Sequence, residues 1–282
     1  MIRKIDTSEI KKNVKNLFIK ASYDIGDDMI ELLKSSREKE ESETAKYVLD
    51  QIIDNDMIAK EESIPMCQDT GMAVVFMEIG KDVFLEGEFV EDAINQGVRE
   101  AYDEGFLRKS VVNDPVFNRV NTRDNTPAVI HTSYIEGDKV RITVAPKGFG
   151  SENMSRIKML KPADGVEGVK DFVMETVKIA GPNPCPPIVV GVGIGGTFEK
   201  AAILSKKALT RELGEKSPNE LYSSLEEELF GKINELNIGP AGLKGKTTCL
   251  GVHVNYFPTH IAGMPVAVNI CCHAYRHASV EI

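Results

Sequence analysis

Along the first hundred residues, apolar positions recur every three to four residues, the spacing of one helix face. Ile10, Val14, Leu17 and Phe18 form such a stripe, and Ser8 just ahead of it is the expected cap. The periodicity resumes in SSREKEESETAKYVLDQIIDNDMIAKEE, predicting helix over about 35–62 with its charges on a solvated face and Pro65 as the stop. MAVVFMEI, residues 72–79, reads as a strand, and a further helix follows near 91–104. The texture then changes. AVIHTSYI and KVRITVAP alternate like strands and predict a hairpin closed at Glu136, Gly137 and Asp138. A glycine-bearing loop, KGFGSEN, comes next. A helix over about 166–180 runs into Gly181-Pro182-Asn183-Pro184-Cys185-Pro186-Pro187, a segment unfit for helix or central strand. The strand IVVGV, the helix FEKAAILSKKALTR, an acidic helix near 219–236 and the strands TTCLGVHVNYF and PVAVNICCHA complete the pattern. With no repeat and no low-complexity linker, the expectation is one α/β (mixed α+β) domain over 1–282, helix-rich to about residue 62 and mixed from about 63.

Composition narrows the function. No apolar run approaches the roughly 18 residues of a membrane span, and the charged N-terminus MIRKIDTSEIKK has no apolar core of a signal peptide, so a cytoplasmic protein is expected. A net charge of −9 disfavours nucleic acid, which needs clustered Lys and Arg, but leaves room for an acidic small molecule in a local basic pocket. Five cysteines, odd in number and far apart, make a poor disulfide framework; thiolates used as metal ligands or nucleophiles fit better.

Three of those cysteines have unusual neighbours. Cys67 stands in PMCQDTG, a polar turn between helix and strand; Cys185 is boxed by prolines; Cys272 stands in CCHAYRH at the end of an apolar strand. Cys249, within TTCLGV, reads as a small buried hydrophobe. Preplaced thiolates on rigid turns suit cluster iron, whereas the CxxC pairs usual for zinc are missing. NTRDNTP and KGFGSEN are turn-forming segments that either build ordinary turns or present polar groups to a ligand. GVGIGG, with Gly191, Gly193 and Gly196, matches the dinucleotide fingerprint in form. The acidic strand end expected about 20 residues later falls instead within KKALTRELGEKS, the tail of a helix. A tight strand-to-helix turn is therefore favoured, with a nicotinamide-binding oxidoreductase and a non-catalytic metal-binding subunit kept as other classes.

Taken together, MCQDTG, LRKSVV, NTRDNTPAVIH, PKGFGSENMS, GPNPCPPIVVGVGIGGT, FPTHIAGMPVAVN and CCHAYRHA resemble the class I fumarase and tartrate dehydratase family, specifically its separate alpha subunit. The resemblance implies a [4Fe–4S] cluster held by Cys67, Cys185 and Cys272, with one iron open to substrate; Cys271 stands where the family commonly has no thiol. It also implies substrate contacts from Gln68, Asp69, Arg108, the loop near Gly150 and His260, with Asp69 and His260 as candidate catalytic groups. His131, His253, His273 and His277 are left structural. The implied activity is reversible hydration of fumarate to (S)-malate, with L(+)-tartrate dehydration as the alternative. The main base is expected from a beta subunit carrying the second, swivelling domain, in an oxygen-sensitive heterotetramer built on an alpha dimer.

Overall fold

A computed structural model describes residues 2–282. In chain order the elements are β1 (Arg3–Asp6), α1 (Thr7–Tyr23), α2 (Asp27–Lys39), α3 (Glu43–Glu62), β2 (Met72–Gly80), β3 (Val83–Glu86), α4 (Val90–Glu104), β4 (Val129–Ile135) and β5 (Val140–Lys147). They continue with α5 (Phe149–Glu152), β6 (Arg156–Leu160), α6 (Gly165–Ala180), β7 (Ile188–Gly195), α7 (Phe198–Ala208), α8 (Glu220–Asn234), β8 (Cys249–Phe257), β9 (Met264–Cys271) and β10 (Ala278–Glu281). The class is mixed α+β. The chain forms two compact units: Met1–Ile25, Asn55–Phe149 and Arg276–Ile282 make the first, Gly26–Asp54 and Gly150–Tyr275 the second. Among the described residues no helix is long and apolar enough to cross a membrane.

In the first unit a sheet of order β10-β5-β2-β4 carries α1 and α4, and β1 pairs with β3 in parallel. The helical stripe seen in the sequence is the buried face: Ile10, Val14 and Phe18 pack with Ile94 and Tyr102 of α4 and with Met77 and Ile142 of the sheet. Each such side chain contributes about 1.5–3 kcal/mol by leaving water. The cap of α1 is Asp6, whose Oδ1 accepts from Ser8 N–H at 2.8 Å, two residues ahead of the position expected.

β4 and β5 do not form the hairpin read from the sequence. β2 lies between them, parallel to β4 and antiparallel to β5. β2 is apolar on both faces and takes the buried centre, while the more polar β4 is left at the edge. The turn at 136–138 wraps the end of β2, where Gly80 N–H donates to Lys139 O and Asp82 N–H to Gly137 O. A Cβ on Gly80 would stand 2.4 Å from Gly137 O, so the crossing requires glycine there.

The second unit is built on a sheet of order β6-β9-β7-β8, with β7 parallel to β8 and antiparallel to β9. Val190, Val192 and Ile194 of β7 join the core formed with Phe172 of α6 and Leu229 of α8. On the opposite side of the strand, a Cβ on Gly193 would come within 2.1 Å of Ala201 O, and one on Gly191 within 2.2 Å of Ser205 O. Gly191 and Gly193 of GVGIGG therefore answer a packing demand, the close seating of α7 on β7, while Gly195 and Gly196 take the positive φ of the turn that follows.

The long charged helix expected over 35–62 is broken between α2 and α3, and part of its charge is internal. Glu40 is buried, and its carboxylate accepts from Lys246 N–H at 2.9 Å and Thr247 N–H at 2.6 Å.

Candidate active site

The turn carrying Cys67 belongs to the first unit and is held by hydrogen bonds on either side of the cysteine. Met66 N–H donates to Ser22 O at 3.0 Å, and Met66 O accepts from Asn55 Nδ2 at 2.9 Å. The Asp69 carboxylate accepts one bond on each oxygen, from Gly71 N–H at 3.1 Å and from Phe149 N–H at 2.8 Å. Its backbone carbonyl accepts from Arg276 Nη2 at 2.7 Å. The Tyr102 hydroxyl lies 2.9 Å from Thr70 O and 3.0 Å from Gly71 O, and burial pushes its phenol well above the ordinary range, so it remains a donor. Gly71 has φ 77°, and a Cβ there would stand 2.5 Å from the Lys147 carbonyl carbon. On this scaffold Cys67 and Asp69 are half-buried and Gln68 is exposed.

The loop that bears Arg108 is joined to the same turn. Thr70 Oγ1 donates to Arg108 O at 2.7 Å. Asn125, fully buried, accepts from Ser110 N–H at 2.7 Å and donates to Gly71 O at 3.1 Å. This is the work of NTRDNTP: Arg123 and Asn125 take positive φ, 67° and 61°, and the segment fastens one loop to another. Lys109 pairs with Asp103 at 2.8 Å, whereas Arg108 is exposed with no acidic partner among the described residues.

In the second unit the proline box presents Cys185. Pro184 and Pro186 are buried while Cys185 is exposed, with φ 53°, an unusual conformation for a side-chain-bearing residue. His273 N–H donates to Cys185 O at 3.4 Å, bringing the segment after β9 to the box. Cys272 is half-exposed on that segment, while Cys271, still on β9 opposite Val189, is 8% exposed. Gly150 is near the box as well; a Cβ built on it would meet only Asn183 O, at 4.0 Å. Beyond Gly150, Glu152 pairs with Lys206 and accepts from Asn269 Nδ2 at 3.1 Å, tying this loop to β9.

Cys249 is of another kind. It is 1% exposed, its Sγ donates to Gly251 O at 3.2 Å, and burial pushes its thiol up to about 12. Such a group stays a neutral thiol. Among the described residues, no three His, Cys, Asp or Glu side chains converge on one metal-ion position. A four-iron cluster makes a different demand, thiolates that each reach their own iron. Accessible cysteines on fixed turns fit that donor set, and buried Cys249 and Cys271 do not.

His260 lies elsewhere. It follows β8, with Ala262 N–H donating to its Nδ1 at 3.1 Å, and Thr259 Oγ1 donates to Gly196 O at 2.9 Å. It borders an open groove of about 480 Å³ with Gly196, Thr197, Lys200 and Phe257. Cys185 precedes the start of β7 and His260 follows the end of the parallel β8, so the two occupy opposite ends of this sheet. The eight residues of β7 alone, at about 3.3 Å each, span about 23 Å.

Sequence reading missed Arg276 altogether, because a lone arginine between Tyr275 and His277 carries no pattern. It also missed Tyr102, concealed as one more apolar position of α4.

The fumarate hydratase (Fumerase) family model matches residues 11–281. A Methanocaldococcus jannaschii protein, provisionally named L(+)-tartrate dehydratase subunit alpha, is 43% identical over 280 residues, covering 97% of this chain and 98% of that protein. The L(+)-tartrate dehydratase alpha subunits of Escherichia coli K12 and Shigella boydii are each 35% identical over 279 residues, covering 98% of this chain and 91% of theirs. The chain belongs to the class I fumarate hydratase family, among its L(+)-tartrate dehydratase alpha-subunit relatives.

Proposed function

We propose that this chain is the cluster-bearing alpha subunit of a hydro-lyase that removes water from, or adds it to, a four-carbon dicarboxylate. The observation that carries the reading is the placement of Cys67, Cys185 and Cys272 as the accessible cysteines, each on a turn, in a chain of this family. The relatives' names favour L(+)-tartrate as the first substrate to test. The family's own name supports the second reading, fumarate and (S)-malate.

These three cysteines would hold a [4Fe–4S] cluster, which when bound supplies a Lewis-acidic iron for the departing hydroxyl. The chain's residues do the rest of the positioning. Arg108, exposed and without an acidic partner, grips a substrate carboxylate. Gln68 offers an amide beside it, and the open space at Gly150 admits substrate against backbone. The Asp69 carboxylate, fixed by Gly71 and Phe149 N–H groups, is oriented to relay a proton. The main base comes from a beta subunit. His260 stands at the opposite end of its own sheet from Cys185, so it is assigned to the site of a second copy of the chain in an alpha dimer.

The test is anaerobic co-production with the beta partner, iron loading, and assay against L(+)-tartrate and (S)-malate. Dehydration of one of them, with about four irons per alpha chain, is expected. A well-folded complex that takes up no iron, or that turns over neither acid, would sink the reading.

A further inference from the structure

A buried guanidinium normally has several hydrogen bonds and an ion pair, because taking a charge out of water is costly. Arg276 departs from this. It is 4% exposed, and Nη2 donates to Asp69 O, yet Nε and Nη1 are buried with no partner among the described residues. Two acidic groups lie near it: the Asp69 carboxylate, and Asp56 of α3, which is 2% exposed, with Oδ1 accepting from Asn55 Nδ2 at 3.3 Å and Oδ2 without a partner among the described residues. No Asp56–Arg276 contact falls within salt-bridge distance. Arg276 and Asp56 are thus both buried with incomplete hydrogen bonding, an arrangement that costs stability once Asp56 is ionised above about pH 7.

What the arrangement delivers is visible at the Cys67 turn. Arg276 holds the carbonyl of Asp69, and Asn55, the neighbour that donates to Asp56, holds the carbonyl of Met66. The two grips fall on either side of Cys67 and Gln68. Gly148 lies close to the Arg276 grip: a Cβ there would stand 3.1 Å from Asp69 Oδ2 and 3.4 Å from Arg276 Nη2.

We propose that Arg276, with Asp56 as its buried counter-charge, is a positioning residue that fixes the turn 67–69 and so sets the direction of Cys67 and the Asp69 carboxylate. The inference rests on the hydro-lyase reading for its purpose, while its physical content concerns the turn alone. Burial pushes the Asp56 carboxyl up to about 7 against the pull of Arg276, which agrees with a pair maintained at a cost.

The first readout uses the full apo chain and needs neither cluster nor partner. Gly71 and Phe149 amides donate to the Asp69 carboxylate, so their hydrogen exchange reports the turn. At pH 8, Arg276→Met should speed exchange of these two amides about tenfold or more relative to the β2–β5 ladder, consistent with local opening. Arg276→Lys, which retains a donor for Asp69 O, should recover part of the protection. Asp56→Asn should give a smaller acceleration at the same two amides without lowering Tm. In the iron-loaded complex, Arg276→Met should lower kcat more than it raises KM, with Arg276→Lys rescuing in part. Uniform acceleration across the sheet with a lowered Tm would make Arg276 merely structural and overturn the proposal. So would unchanged Gly71 and Phe149 exchange in Arg276→Met. If the wild-type complex binds no iron and has no activity, the proposed function fails by itself, and the exchange ratio still decides the role of Arg276.

Discussion

The position of His260 allows a test by subunit mixing. Cys185→Ser removes a proposed cluster ligand, and His260→Ala removes a proposed substrate contact. Each homodimeric alpha variant, with its beta partner, should be nearly inactive; loss of a group acting in acid–base catalysis alone lowers rate by about 10²–10⁴. Within one chain the two residues stand beyond opposite ends of the paired strands β7 and β8, and β7 alone spans about 23 Å, farther than an imidazole and a four-carbon diacid together reach. If each active site takes Cys185 from one chain and His260 from the other, a mixed dimer has one doubly damaged site and one intact site. Random pairing makes half the dimers mixed, so an equimolar co-production should recover about one quarter of wild-type activity from two dead parents, as two-fold symmetry requires. If both residues came from the same chain, every site in every dimer would be damaged and nothing would be recovered. The assay is dehydration rate per alpha chain, with iron content as control: the mixture should contain about half the wild-type iron. No recovery in a mixture shown by tagged purification to contain mixed dimers would refute the reasoning, as would a fully active His260→Ala homodimer.

Three further outcomes are expected. Cys67→Ser, Cys185→Ser and Cys272→Ser should each abolish iron loading, whereas buried Cys249→Ser and Cys271→Ser should retain it; iron and sulfide analysis decides, and loss in Cys271→Ser with retention in Cys272→Ser would reverse the ligand choice. Arg108→Ala should forfeit about 2–5 kcal/mol of carboxylate binding, roughly 30-fold or more in kcat/KM, with normal iron and partial recovery in Arg108→Lys. The folded chain keeps the Asp56 proton up to about pH 7, while the unfolded chain releases it near 3.8, so between those values the folded state binds more protons and stability falls as pH rises. The full effect is about 4 kcal/mol, and Asp56→Asn should flatten that decline in Tm; an unchanged slope would show that Asp56 titrates normally.

Where local pattern and tertiary position agree, the sequence told the structure. The stripe Ile10, Val14, Leu17 and Phe18 is the buried face of α1, and the proline box is a turn presenting Cys185. The candidate site residues at 67–69, 108 and 185 fall outside the helices and strands, and for Cys67 and Cys185 the turn-forming neighbours foretold it. Strand neighbours were not legible in the same way. AVIHTSYI and KVRITVAP alternate well and are separated by a good turn, yet sequence adjacency says nothing about a third, more apolar strand that competes for the place between them. β1, β3, β6 and β10 were equally hidden, being four or five residues long and stabilised only by the partners they find.

The buried charges were hidden for a related reason. Glu40 and Asp56 lie in a run of charges that reads as a solvated helix face, and Arg276 carries no pattern at all. Burial of a charge depends on what lies across the fold from it: backbone N–H groups of Lys246 and Thr247 for Glu40, the carbonyl of Asp69 for Arg276. Periodicity records which side chains avoid water, and it is silent on polar groups taken from water to hold a loop. In the first unit such groups collect around one turn: buried Tyr102, Asn125 and Arg276, together with the exposed Asn55, each place a hydrogen bond on a backbone carbonyl between Met66 and Gly71. Fold stability alone does not call for three buried polar side chains, Tyr102, Asn125 and Arg276, on six residues, since an apolar turn of the same shape would cost less to bury. A turn that must hold a thiol and a carboxylate in fixed directions does call for them.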